Sequence, residues 1–398
     1  VVLAVLAVII VLLGAFAIVA AVRVHRHLPL ATVDVRVPPD RVVAGTAPTI
    51  SWPAGVQSAL AIPSIGVTEQ SGPEVPAPIA SVTKMMTAHI VLTDHPLAAG
   101  DAGPSITITP NDVELYNEDV ATDQANIQVA VGEVLTEQQL LEGMLVHSAN
   151  NFADLLAIFD AGNISAFVTK MNATAAALGM TQTTYADASG LSTATVSTPA
   201  DQLKVATQDV ENPVFDQIVD MTAVTLPVAG TVGAYTPLLG TDGVVGVKSG
   251  FTSAAGGCDV LGLLGGFDGA PVEVLAAVVG EHVGSNVILA AGLDALSVAR
   301  PAMSNVRIVH LFSRGQRVGT VSDSGYSVPV VTKAAVSVIA WPGQRATESF
   351  HLTQRPRSGA GRGTEVGTIT VTLGPQKFQV AVGTSTRLST PTFWQRVF

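Results

Sequence analysis

The sequence predicts a three-part α/β chain: an apolar N-terminal helix, a large domain of mixed helices and strands, and a small all-β domain at the C-terminus. Three observations carry this. Residues 1–22 hold no charged or strongly polar side chain. Over residues 56–302, capped helical segments alternate with apolar strand-like runs. From residue 303 onward the texture turns to short Val-rich alternating runs divided by Gly, Pro and Ser.

The first element is a membrane-span candidate. Twenty-two apolar residues at about 1.5 Å rise per residue are long enough to cross the hydrocarbon core. A buried core helix this long would normally carry a polar position. A cleaved signal peptide would have a shorter apolar core, and the A-x-A triplet Ala15-Phe16-Ala17 lies inside the run. The reading is an uncleaved single-pass anchor. Arg23, His25, Arg26 and His27 follow it; taken alone they would put that end inside the cell, so the orientation stays open.

Residues 23–55 contain Pro29, Pro38, Pro39, Pro48 and Pro53 and no amphipathic period, which reads as a stiff extended spacer. In the domain that follows, Thr136-Glu137-Gln138-Gln139 is a capping box opening an apolar-periodic helix. Thr198-Pro199-Ala200-Asp201 is a second helix start, with Pro at the first helical position. Gly243 to Gly265 reads as two apolar strands separated at Gly256-Gly257. In the last part, Val328–Ile339, Gly367–Leu373 and Phe378–Val382 are the clearest strands.

Composition narrows the function. Apolar residues are 48% of the chain and charged residues 13%, so it can bury a core and is not disordered. The net charge of −11 argues against nucleic acid as a partner. One cysteine, Cys258, excludes a disulfide framework and a cysteine metal site, and eight scattered histidines offer no ligand cluster; no cofactor is expected. The charge is uneven. Gly45–Val298 has no arginine and four lysines against 26 acidic residues, while Arg300–Phe398 carries a net +9. Such a split points to separately folded parts in different surroundings.

Three short elements carry chemistry. Ser81 and Lys84 are three apart in a helical sequence, hence on one face. A lysine whose pKa is lowered by burial or a second cation can take the serine proton. Ser148-Ala149-Asn150 places a hydroxyl on a tight turn beside an amide able to bind a peptide-like ligand. Lys248-Ser249-Gly250-Phe251-Thr252 puts a cation and a hydroxyl on a strand edge, with a glycine that admits close backbone approach. Each has a bland alternative: chance spacing, helix capping, an edge-strand lysine. Each occurs once, in the order S-x-x-K, S-x-N, K-[ST]-G.

With this trio the chain resembles the low-molecular-weight penicillin-binding proteins, the serine-type D-alanyl-D-alanine carboxypeptidases. Pro78–Thr87 is similar to that family's segment around the active serine, and Leu135–Ala157 to its second block. Ala177–Thr181 with Ser189-Gly190-Leu191 resembles its connecting region, and Lys248–Gly256 its third strand. The resemblance implies a β-lactamase/transpeptidase-like fold, an antiparallel sheet flanked by helices. It implies Ser81 as nucleophile, Lys84 as general base and Ser148 as proton relay. Asn150, Lys248, Ser249, Phe251 and Thr252 would bind substrate, with the Ser81 and Phe251 N–H groups as oxyanion hole.

Removal of the terminal D-alanine from peptidoglycan stem peptides outside the cytoplasm is then expected, with β-lactams as covalent inhibitors and the N-terminal helix in the cell membrane. The alternatives are a β-lactamase or a D,D-endopeptidase with the same acyl-serine chemistry, or a non-catalytic penicillin- or wall-binding protein. Ser249 replaces the usual threonine, and His147 precedes Ser148. Glu273 stands near the place of the family's carboxylate-gripping arginine. Carboxylate recognition would therefore fall on Lys248 and hydroxyls unless Arg300 or a later residue folds back.

Overall fold

The computed structural model describes residues 2–26, 30–267 and 269–397. Val1, His27, Leu28, Pro29 and Phe398, on which parts of the readings above fall, lie outside the described residues. The chain divides into two compact units, Pro48–Val306 and a second that joins the residues up to Ala47 with those from Arg307 onward.

The larger unit is built on a five-stranded antiparallel sheet. Its strand order is Val244–Thr252, Gly256–Phe267, Ala270–Glu281, Gln57–Ile62, Val67–Gln70. Strand alternation gives the sheet two apolar faces. Ala59, Ala61, Leu275, Ala277, Val279, Cys258 and Val260 join one core with the helices Lys84–Asp94, Glu137–Val146, Asn150–Ala161 and Pro199–Asp209. The helix Val287–Asn305 packs on the strands Gly256–Phe267 and Ala270–Glu281. Gly257 permits that contact, because a Cβ there would stand 2.1 Å from the Val287 carbonyl oxygen. The fold is thus the transpeptidase-like sheet with flanking helices.

The helix starts follow local chemistry. Thr136 Oγ1 accepts from Gln139 N at 3.2 Å while the Gln139 side chain returns to Thr136 N at 3.0 Å, a complete capping box. Thr198 caps Pro199–Asp209 through Asp201 N. Phe152, Phe167 and Phe215 are fully buried between the helices, each contributing roughly 1.5–3 kcal/mol of burial.

The smaller unit holds a seven-stranded sheet, and its edges correct the spacer reading of residues 23–55. Thr32–Val35 pairs antiparallel with Arg317–Asp323, and Asp40–Val42 with Arg345–Leu352. Ala31 and Val43 are 1% exposed. Pro38 and Pro39 fall between these strands, where a missing N–H costs the ladder nothing. The segment read as one strand, Val328–Ile339, is two, Tyr326–Thr332 and Val336–Ala340. The N-terminal helix runs Val2–His25, three residues past the apolar stretch, and has the length and composition to cross a membrane.

Candidate active site

The helix bearing Ser81 does not begin as an α-helix. Ala80–Thr83 is a 3₁₀ turn that passes into the α-helix Lys84–Asp94. Side chains three apart eclipse in 3₁₀ geometry, which stacks Lys84 beneath Ser81. Ala80 enters with φ +47°, a left-handed conformation that a non-glycine residue adopts at a cost. Ser148 does so at φ +64°, on the turn between Glu137–Val146 and Asn150–Ala161, and Asp123 at φ +54° lines the same cleft. Strained backbone thus concentrates around one opening.

Lys84 is fully buried, and its Nζ touches three oxygens: Ser81 Oγ at 2.8 Å, Asn150 Oδ1 at 2.7 Å and the Ser189 carbonyl at 3.0 Å. Burial, and secondarily the nearby Lys248 cation, hold its pKa well below the ordinary lysine value, against the opposing pull of Asp187, Asp154 and Asp119. A neutral amine has two N–H groups and one lone pair. With Asn150 and Ser189 taking the N–H groups, the lone pair is left facing Ser81 Oγ. This arrangement can strip the hydroxyl of its proton.

The third wall is the edge strand Val244–Thr252. A β-bulge at Val247 shifts its register against Gly256–Phe267 just before Lys248. Gly250 then lies so close that a Cβ would come within 2.6 Å of Ser81 N. This brings the Ser81 and Phe251 segments together. Lys248 is fully buried; burial lowers its pKa to about 8 despite Asp259. Its Nζ donates to the Ser249 carbonyl at 2.7 Å. Asp259 is itself pushed up to about 7 by burial.

The cleft has a volume of about 640 Å³ and is lined by Ser81, Ser148, Asn150, Ser249, Gly250, Phe251 and Thr252 among others. Seven of the eight residues singled out from sequence lie within reach of one space, counting Lys84 through its bond to Ser81. Lys248 is not among the residues that line the cleft; its ammonium is buried and bonded to the Ser249 carbonyl. Thr252 Oγ1 accepts from Ala255 N at 3.1 Å, and Phe251, half exposed, forms the rim.

Other residues fall elsewhere. Glu273 lines a separate hollow with Asp216 and Pro63, and burial lifts its pKa to about 7. Arg300 pairs with Asp242 at 2.5 Å. Among the described residues lining the cleft none is Arg or Lys. His147 Nδ1 lies 2.8 Å from the Gly233 carbonyl and its ring packs on Tyr235 at 4.8 Å, so it braces the cleft wall. Burial pushes the Cys258 thiol up to about 12, an inert core position. Sequence reasoning missed Tyr235 and the Thr122–Ala125 stretch after the helix Pro110–Ala121, which line the cleft, and Asp187, which bonds Ser189 and Leu191 beside it. Only the tertiary fold brings these to the site.

Residues 66–263 match the family profile described as D-alanyl-D-alanine carboxypeptidase. The D-alanyl-D-alanine endopeptidase of Haemophilus influenzae is 36% identical over 129 residues, 32% of this chain and 41% of that protein. The D-alanyl-D-alanine endopeptidase of Escherichia coli is 30% identical over 202 residues, 48% of this chain and 60% of that protein. The chain thus spans about half the length of the curated relatives it matches. Among solved structures, the D-alanyl-D-alanine carboxypeptidase DacD from Francisella tularensis superposes with TM-score 0.57 at 20% identity, covering 90% of this chain and 97% of that one. The Streptomyces K15 DD-transpeptidase gives 0.55 at 26% identity, covering 65% and 100%.

Proposed function

The chain belongs to the D-alanyl-D-alanine carboxypeptidase family, and from that premise we propose that it hydrolyses the terminal D-Ala–D-Ala bond of peptidoglycan stem peptides through an acyl-enzyme on Ser81. The observation that carries the reading is the Lys84 Nζ tripod, with Ser81 Oγ at 2.8 Å and the other two positions taken by Asn150 and Ser189.

In the proposed cycle, neutral Lys84 takes the Ser81 proton while Oγ attacks the penultimate D-alanine carbonyl. The Ser81 and Phe251 N–H groups hold the oxyanion, an interaction worth a few kcal/mol per donor in such sites. On collapse the C–N bond breaks, and the leaving amine takes a proton passed from Lys84 through Ser148. Free D-alanine departs. Water then attacks the ester, Lys84 accepts its proton, and the shortened peptide leaves as a carboxylate with Ser81 regenerated. Asn150 binds the substrate amide; Ser249 and Thr252 offer hydroxyls, and buried Lys248 supplies positive potential. β-Lactams would acylate Ser81 by the same attack.

A second reading, D,D-endopeptidase action on cross-linked peptides, is favoured by one observation: among the described residues lining the cleft none offers a cationic side chain to a free terminal carboxylate. The Haemophilus influenzae and Escherichia coli relatives bear the name of that activity. The chain would sit at the cell membrane through the helix Val2–His25, with the peptidase unit outside the cytoplasm and the basic C-terminal part toward anionic lipid or wall polymer.

The test is the intact mass of the full chain after penicillin, with the adduct mapped to its peptide, followed by product analysis. One penicilloyl group on the Ser81 peptide, absent in Ser81→Ala, is expected. D-alanine released from a pentapeptide supports the carboxypeptidase; cleavage of cross-linked dimers alone supports the endopeptidase. Normal labelling of Ser81→Ala would refute the site.

A further inference from the structure

Ser189 reaches Lys84 from a segment with no regular secondary structure, residues 187–195. Its carbonyl is one of the two acceptors that fix the direction of the Lys84 lone pair, so whatever holds this segment also aims the base. The segment is docked on the serine-bearing helix at three points. Thr87 Oγ1 donates to the Ala188 carbonyl at 2.7 Å, Lys84 Nζ to Ser189 at 3.0 Å, and Gly190, at φ +85°, presses on the Ala80 carbonyl.

Its internal shape comes from one carboxylate. Asp187 Oδ2 accepts from Ser189 Oγ at 3.0 Å, Leu191 N at 2.7 Å and Ser192 N at 3.3 Å, and Oδ1 accepts from Thr195 Oγ1 at 2.5 Å. Four donors spread over seven residues converge on one side chain, and charge-assisted bonds of this kind are about twice as strong as neutral ones.

We propose that Asp187 is a positioning residue: it folds the 187–195 segment so that the Ser189 carbonyl completes the Lys84 tripod. The inference rests on Lys84 acting as the base in the function proposed above. The other charged groups that face Lys84 are Lys248 from the edge strand, Asp154 from Asn150–Ala161 and Asp119 from Pro110–Ala121. The variants below leave all of them in place. Asp187, like Asp154 and Asp119, favours the protonated lysine, so removing its charge makes Lys84 easier to deprotonate.

The experiment measures the rate of Ser81 acylation by a fluorescent penicillin across pH in the full chain, for wild type, Asp187→Ala and Asp187→Asn, with thermal melting beside it. Asp187→Ala loses the segment's four bonds and should acylate about tenfold more slowly or worse, as expected when a base is misaimed. Asp187→Asn keeps an acceptor for the backbone N–H groups and should recover most of the rate at high pH. Its acid limb should shift to lower pH, a change that a purely structural role would not produce.

A folded Asp187→Ala protein with wild-type rate and profile overturns the assignment. So does an Asp187→Asn protein with an unmoved acid limb, and that variant decides alone if the alanine chain fails to fold. A wild-type chain that takes no adduct on Ser81 instead sinks the proposed function, a separate outcome.

Discussion

Lys84 and Lys248 are both without solvent exposure, yet they are used differently. Lys84 meets three oxygens, one of them the Ser81 hydroxyl; Lys248 donates to the carbonyl of its own neighbour. The Lys248 charge lowers the cost of leaving Lys84 neutral, because two buried cations would repel. The sign of the pH dependence follows. Protonated Lys84 cannot accept the Ser81 proton, so acylation rises with pH through the Lys84 pKa, and burial with the Lys248 charge puts that midpoint well below the ordinary lysine value. Lys248→Gln removes the repelling cation, so the acid limb of the penicillin-acylation profile should move to higher pH. An unmoved or lowered limb would show that Lys248 does not act on Lys84 electrostatically. At this scale the sequence was informative about residue type. The spacing of Ser81 and Lys84 and the hydroxyl of Ser249 could be read directly, whereas the burial that makes a lysine a base could not. The arginine question also belongs here. Glu273 occupies the expected strand position, but its side chain faces a different hollow, and Arg300 is held by Asp242.

At the level of elements, the site depends on backbone approaching backbone. Gly190 and Gly250 sit on either side of the turn that carries Ser81, and a Cβ on Gly190 would fall 1.8 Å from the Ala80 carbonyl oxygen. Neither contact can be relieved by a side-chain rotation. Gly190→Ala should therefore lower stability by about 1–2 kcal/mol from its left-handed backbone alone. It should also cut penicillin acylation by roughly a hundredfold by displacing the serine turn. Chemical denaturation and labelling rates check the two effects separately; wild-type labelling would show that the turn tolerates the shift. Gly250 was legible because the K-S-G pattern on a strand calls for close approach. Gly190 was legible only as part of a resembling segment, since nothing local says what it presses against. The capping box at Thr136 and the N-cap at Thr198 could be read because a cap is a bond within four residues of chain. The 3₁₀ start at Ala80 could not, because its reason is the fit of Gly190 and Gly250 around it.

Across the whole molecule, the smaller unit is closed by chain from both ends of the sequence. Arg41, on the edge strand Asp40–Val42, bonds Glu348 at 2.5 Å, donates to the Leu311 carbonyl and lies over the Phe312 ring. The Glu348 side chain has no exposure. Arg41→Ala would leave that carboxylate buried without its partner, so this unit should lose about 3–5 kcal/mol. Buried Trp341 in the same unit provides the fluorescence readout of unfolding, while penicillin labelling of Ser81 should persist. Unchanged unfolding would mean Glu348 is compensated elsewhere. The proline-rich stretch was read as a spacer because edge strands of three and four residues carry too little periodicity to stand out. Their partners lie some 280–310 residues away in the chain.

The sequence by itself determined the spacing of Ser81 and Lys84, the S-x-N turn, the lysine-bearing strand, the capped helices and the apolar N-terminal span. Each is a matter of residue type, short spacing or local hydrogen bonding. Only the tertiary structure decided that Lys84 is dry and three-coordinate, that Lys248 is buried against the Ser249 carbonyl, that Asp187 gathers the bonds of the 187–195 segment, and that two stretches of the spacer are strands. Those properties are set by which distant pieces of chain exclude water and supply acceptors around a given atom, and no run of neighbouring residues encodes that.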